Sequence, residues 1–267
     1  MSYTSLLRNG TLVILASMLS LTACNRDKKD KTTVSTTLTD ADDNGGYASD
    51  AARLEQYGND VLSIADIAGT TGSANMRTTS TCATVTNDTL SSPHKLTINF
   101  GTTNCLCVDG KYRRGSIVVT YTGRYKDSAA THTITSNNYY VNDIKFNIHK
   151  AVTNKGTNMS GNVWYEVTVN DSLVLGTDSI VSWTGNRTRT WLAGYATTDR
   201  SDDVYEIGGV TTLTRASGRV FTHTITTPLK IATSCAYIQS GVFTVSSTSF
   251  VGGSRTLDYS YGGGGCD

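Results

Sequence analysis

Apolar and polar residues alternate along most of this chain with a period of two. Between Ile117 and Tyr125 the odd positions read Ile117, Val119, Tyr121, Gly123 and Tyr125, and the even ones Val118, Thr120, Thr122 and Arg124. This is the signature of a strand with one buried face. Asp109-Gly110 stands just ahead of it and supplies the positive-φ positions that a tight hairpin needs. The same grammar predicts strands at 82–87, 94–101, 114–125, 130–149 with a break near Asn137-Asn138, 161–170, 177–192, 203–215, 219–227, 235–247 and 254–260. Ala216-Ser217-Gly218 marks one hairpin between two of them. Consecutive strands joined by short Gly, Asn or Asp turns pair antiparallel, and a meander of about ten strands is too wide to stay flat. The expected fold is therefore all-β: a large curved antiparallel meander forming a half-barrel, a barrel or a two-layer sandwich.

One stretch breaks the period. Leu54, Tyr57, Val61, Ile64 and Ala68 recur at three- and four-residue steps and stop at Gly69, with Ser49 placed to cap the start. The spacing predicts a single N-terminal helix over 49–68, apolar enough to pack on the sheet or to close the end of a barrel. Residues 25–46 are rich in Thr, Asp and Lys, with almost nothing apolar to bury, and read as a flexible tether.

The first 23 residues carry a different pattern, with Arg8, an apolar run over Leu12–Leu21, and then Leu21-Thr22-Ala23-Cys24. A charged n-region, a short apolar h-region and small residues before the cut define a secretory signal. The last four residues resemble a bacterial lipobox, in which cleavage precedes the cysteine and Cys24 carries the lipid. The expected layout is thus a signal peptide at 1–23, a lipidated cysteine and tether at 24–46, and one β-rich domain at 47–267. The charged run Arg26 to Lys31 resembles the export signals behind the cysteine in surface lipoproteins of Bacteroidota, and it equally suits a solvated tether.

Composition narrows the function. Cleavage removes Arg8 and no acid, so 23 basic against 22 acidic residues become 22 against 22. A neutral chain offers no bulk field for nucleic acid. Five cysteines remain: Cys82, Cys105, Cys107, Cys235 and Cys266. In an exported compartment they favour disulfides. Similar surroundings suggest a duplicated unit that closes its own loop, pairing Cys235 with Cys266, and Cys82 with Cys105 or Cys107. A Cys-x-Cys metal site lacks nearby histidine and the usual ligand spacing, so no metal or other cofactor is expected.

Catalytic motifs are missing: no G-x-S-x-G, H-E-x-x-H or phosphate loop occurs, and no catalytic residue is nominated. His223 alternates with Phe221 and Ile225 as a core residue would, whereas His94, His132 and His149 read as surface histidines. The pairs Asp42-Asp43 and Asp202-Asp203 sit in loop-like sequence where solvation explains them. One strand stands out, with Trp183, Gly185, Arg187, Arg189 and Trp191 all at odd positions. Aromatic planes flanking two guanidinium groups suit a glycan with acidic substituents if that face is exposed, with Ile180 and Leu192 turned to the core. The competing view makes the tryptophans core caps at the strand ends and the arginines partners of acids on neighbouring strands, or makes Gly185-Asn186 a turn.

Asp88-Thr89-Leu90, Asp127-Ser128-Ala129, Asp171-Ser172-Leu173 and Asp178-Ser179-Ile180 resemble O-glycosylation acceptors of Bacteroidota. With the lipobox and segments such as KYRRGSIVVTYTGRY, NNYYVNDIK and RTRTW, the mature chain resembles the uncharacterised β-rich outer-membrane lipoproteins of that phylum. The resemblance implies an outer-membrane lipoprotein on the periplasmic face or cell surface, held through lipid on Cys24. The expected role is structural, or that of a non-catalytic module binding glycan or another envelope component. A half-barrel carrier of lipid or lipoprotein is the alternative, and a hydrolase a more distant one.

Overall fold

The computed structural model describes residues 40–71, 82–176, 179–248, 253–260 and 266. One helix, α1 (Asp40–Thr71), precedes thirteen strands: β1 (Thr84–Asp88), β2 (His94–Asn99), β3 (Cys105–Leu106), β4 (Tyr112–Tyr121), β5 (Thr131–Val141), β6 (Ile144–Asn147), β7 (His149–Thr157), β8 (Val163–Gly176), β9 (Ser179–Ala193), β10 (Val204–Arg215), β11 (Val220–Ala232), β12 (Ser240–Ser246) and β13 (Ser254–Asp258). All belong to one antiparallel sheet ordered β1-β2-β4-β5-β6-β8-β9-β10-β11-β12-β13, with β3 on β4, and β7 between β5 and β8. No ladder joins β1 to β13 among the described residues, so the sheet is an open, curled meander.

The period-two pattern decides which face turns inward. Along β9, Val181, Trp183, Arg187, Arg189 and Trp191 are buried, while Ile180, Thr184, Asn186, Thr188 and Leu192 are exposed. Gly185 keeps this strand continuous: a Cβ there would stand 2.7 Å from the Val210 carbonyl oxygen, so neither a side chain nor a turn occupies the position. The predicted strand over 130–149 is instead three strands. Its break lies at Asn142-Asp143, both at positive φ, while Asn138, also at positive φ (46°), sits inside β5 beside a register shift in β4. Asn and Asp tolerate that region better than other side-chain-bearing residues.

Helix α1 fills the concavity. Leu54, Tyr57, Val61, Ile64 and Ala68 are all buried, as their spacing predicts, but so are Glu55, Asn59 and Asp66 on the helix's other sides. The helix begins at Asp40, taking in the end of the predicted tether, and Ser49 lies within it instead of capping it. Gly45-Gly46 is poor helical sequence, yet tertiary packing outweighs propensity: Tyr47 lies 3.7 Å from the Phe221 ring and beneath the Arg215 guanidinium. The expected signal peptide, Cys24 and the other residues up to 39 lie outside the described residues.

The helix runs closest to β13, β12 and β2, beneath the unpaired edges. Each lip of this seam carries a disulfide. Cys82–Cys105 ties the lead into β1 to β3, and Cys235–Cys266 ties the β11–β12 loop to the tail after β13. Among the described residues Cys107 is the free thiol, and it is buried. Between the lips, Lys111 Nζ donates to Asp60 of the helix at 2.6 Å and sits 5.7 Å from the Tyr237 ring, while Gln56 donates to the Ala236 carbonyl at 2.8 Å. Side-chain bonds to α1 thus join edges that backbone pairing leaves apart.

Candidate functional site

Four helix carboxylates meet cations from the sheet and its loops. Asp50 pairs with Arg215, Glu55 with Arg187 at 3.0 Å, Asp60 with Lys111 at 2.6 Å, and Asp66 with Arg200 at 3.8 Å. The Glu55 group is the most enclosed. Arg187 donates from Nε and Nη2 to Glu55 Oε2 and from Nη2 to Thr211 at 2.9 Å; Trp183 Nε1 also donates to Thr211, at 2.6 Å. Burial pushes the Glu55 carboxyl up, and the charge and hydrogen bonds of Arg187, with the Asn59 amide, outweigh it, leaving the group below its ordinary value. His223 is driven down to about 3 by burial, against the pull of Glu55. It is therefore a neutral core imidazole.

This geometry corrects the expectation of an exposed face at Trp183, Arg187, Arg189 and Trp191. Their common parity holds, but the face they share is the inner one: they are 2%, 3%, 2% and 1% exposed, whereas Ile180 and Leu192 are 43% and 37% exposed. Two buried arginines are tolerable because Arg187 has the Glu55 carboxylate and Arg189 lies 3.7 Å from the Tyr205 ring. Gly58 lets the helix approach this row, since a Cβ on it would fall 2.8 Å from the Trp183 ring. Asp203, expected in solvent, is also buried and accepts from Trp191 Nε1 at 3.1 Å and Arg200 at 3.3 Å. Helix α1 and these charge pairs occupy the inner face of the sheet.

An open cleft of about 380 Å³ lies where α1 ends. Strand register builds it: His94 of β2 stands opposite Tyr121 of β4, which stands opposite His132 of β5. The three rings form a row, with centroids 5.2 Å and 5.6 Å apart. Tyr125 extends the row, 5.3 Å from His132 and 4.4 Å from Tyr165. Leu96 and Val119 give the cleft an apolar floor beside Gly69 of the helix, and Asn87, Thr89, Arg124 and Asp127 give it a polar rim.

The polar groups are partly committed. Tyr121 donates its hydroxyl to Asn87 Oδ1 at 2.7 Å, which leaves the Asn87 amide hydrogens free to turn toward a guest. Asp127 accepts the Arg124 backbone N–H at 2.8 Å, which shapes the turn between β4 and β5. Burial pulls His132 down to about 4, against the neighbouring Asp127, so its ring is neutral at pH 7. His94 Nδ1 is buried without a hydrogen-bond partner among the described residues.

His132 is thus buried and His94 half-buried, where the sequence suggested surface histidines; only His149 is exposed. Parity alone could have placed each ring on an inner face, but nothing local reveals that 94, 121 and 132 fall on one rung. Of the acceptor-like triplets, Thr89 and Ser128 lie in exposed turns, Ser172 lies in β8 behind a buried Asp171, and Asp178 is outside the described residues. No protein-family model, curated protein or solved structure matches the chain.

Proposed function

We propose that this protein is an exported, lipid-anchored binding module that holds a glycan or a similarly hydroxylated envelope component in the cleft at the end of α1. The observation that carries this is the lining itself: an apolar floor of Leu96 and Val119 beneath Asn87, His94, Arg124 and Asp127. A sugar ring presents C–H patches and vicinal hydroxyls together. Planar amide, imidazole, carboxylate and guanidinium groups engage such hydroxyls through paired hydrogen bonds, and the volume falls in the range of small-ligand sites. The lipobox at Leu21 to Cys24 supports the anchor. The chain enters the fold at Asp40 and reaches the cleft at Gly69, about 44 Å along a helix rising 1.5 Å per residue, so the cleft opens far from the tether's attachment.

Glycan-array binding by the mature domain tests the proposal. Asp127→Asn together with Asn87→Ala should abolish the signal while thermal unfolding stays near that of wild type, because Asn87 and Asp127 are exposed. A blank array for folded wild-type protein, across neutral and acidic glycans, refutes it.

A further inference from the structure

Resting on that reading of the cleft, we infer that the bound sugar carries an anionic substituent and that Arg124 determines this preference. Among the described residues of the lining Arg124 is the one arginine or lysine, and its guanidinium makes no hydrogen bond or ion pair with any described residue. The neighbouring Asp127 is already turned toward the Arg124 backbone N–H instead of its guanidinium. This contrasts with Arg113, Arg114, Arg187 and Arg215, each held by a carboxylate. A second observation points the same way. The groups around the floor offer donors that no described residue uses: Asn87 keeps its amide hydrogens because its oxygen accepts from Tyr121, and the Asp127 carboxylate on the same rim is bound to the Arg124 backbone N–H and leaves the guanidinium unspent. A guest with an acceptor-rich, charged substituent satisfies this surplus through charge-assisted bonds, which are stronger than neutral ones. Arg124 is exposed, so the interaction is partly screened and the expected preference is moderate.

The test compares methyl β-D-glucuronide with methyl β-D-glucoside, which differ at C6 alone, by NMR titration of the mature domain. Wild type should bind the glucuronide about tenfold more tightly, about 1.4 kcal/mol by the usual conversion, and the gap should shrink as salt rises. Arg124→Gln should bring the two affinities together, weakening the glucuronide about tenfold more than the glucoside. Equal wild-type affinities, or a preference that survives in Arg124→Gln, overturn the inference and leave the sugar-binding proposal standing. Failure of wild type to bind either glycoside overturns the inference, and a blank array for the same folded protein overturns the sugar-binding proposal with it; Asn87→Ala separates cleft binding from binding elsewhere because it should weaken both glycosides alike.

Discussion

Replacing Arg187 by methionine probes most directly how the helix is held inside the sheet. Methionine roughly keeps the side-chain volume, so little cavity forms, but it deletes the bonds to Glu55 Oε2 and Thr211. Glu55, 1% exposed, then keeps the Asn59 amide at 3.1 Å and the buried His223 ring 3.8 Å away, with no guanidinium beside it. Removing one partner of a buried pair costs about 3–5 kcal/mol, a large share of the ~5–15 kcal/mol that holds a domain together. Urea unfolding followed by tryptophan fluorescence and far-UV circular dichroism measures it, with Trp183 reporting from 5.6 Å away. The double variant Glu55→Leu/Arg187→Met should recover most of the loss, since an apolar pair of similar volume is often no worse than the ions. A single-variant cost below about 1 kcal/mol, or a double variant no better than the single, would refute the view that α1 is locked by paired buried charge.

Three further outcomes are expected. Gly58→Ala should destabilise by about 1–3 kcal/mol despite its better helix propensity, because the new Cβ meets the Trp183 ring at 2.8 Å; a more stable variant in thermal melts would contradict this packing. His132 is lowered in the fold from 6.5 to about 4, so the unfolded chain binds the proton first as pH falls, and stability should drop between about 6.5 and 4 by up to roughly 3 kcal/mol. Asp203, raised to about 6, shifts the other way and partly offsets this, so the readout is the difference between wild type and His132→Asn, which should lose that acid dependence. Cys235→Ser/Cys266→Ser opens a crosslink between residues 31 apart and should cost on the order of 3–4 kcal/mol in the loop-entropy account, with unchanged unfolding under non-reducing conditions as the contrary result.

Period and composition alone determined the all-β class, the helix with its Leu54-to-Ala68 stripe, the hairpins at Asp109-Gly110 and Ala216–Gly218, and the parity of every inward residue on β9, because each depends on neighbours within a turn or a strand. Which face was inward was not legible for Trp183, Arg187, Arg189 and Trp191. Arginines at alternate positions look like a wet surface until a helix carboxylate 132 residues away in sequence neutralises one of them. The extension of α1 to Asp40 was hidden for the same reason, since Tyr47 is held by Phe221 and Arg215 and not by its own turn. The row of His94, Tyr121 and His132 likewise exists only because two strand registers align. Long-range pairing costs chain entropy that no local window reveals, so the cleft and the charge-lined interior were decided by the tertiary structure alone.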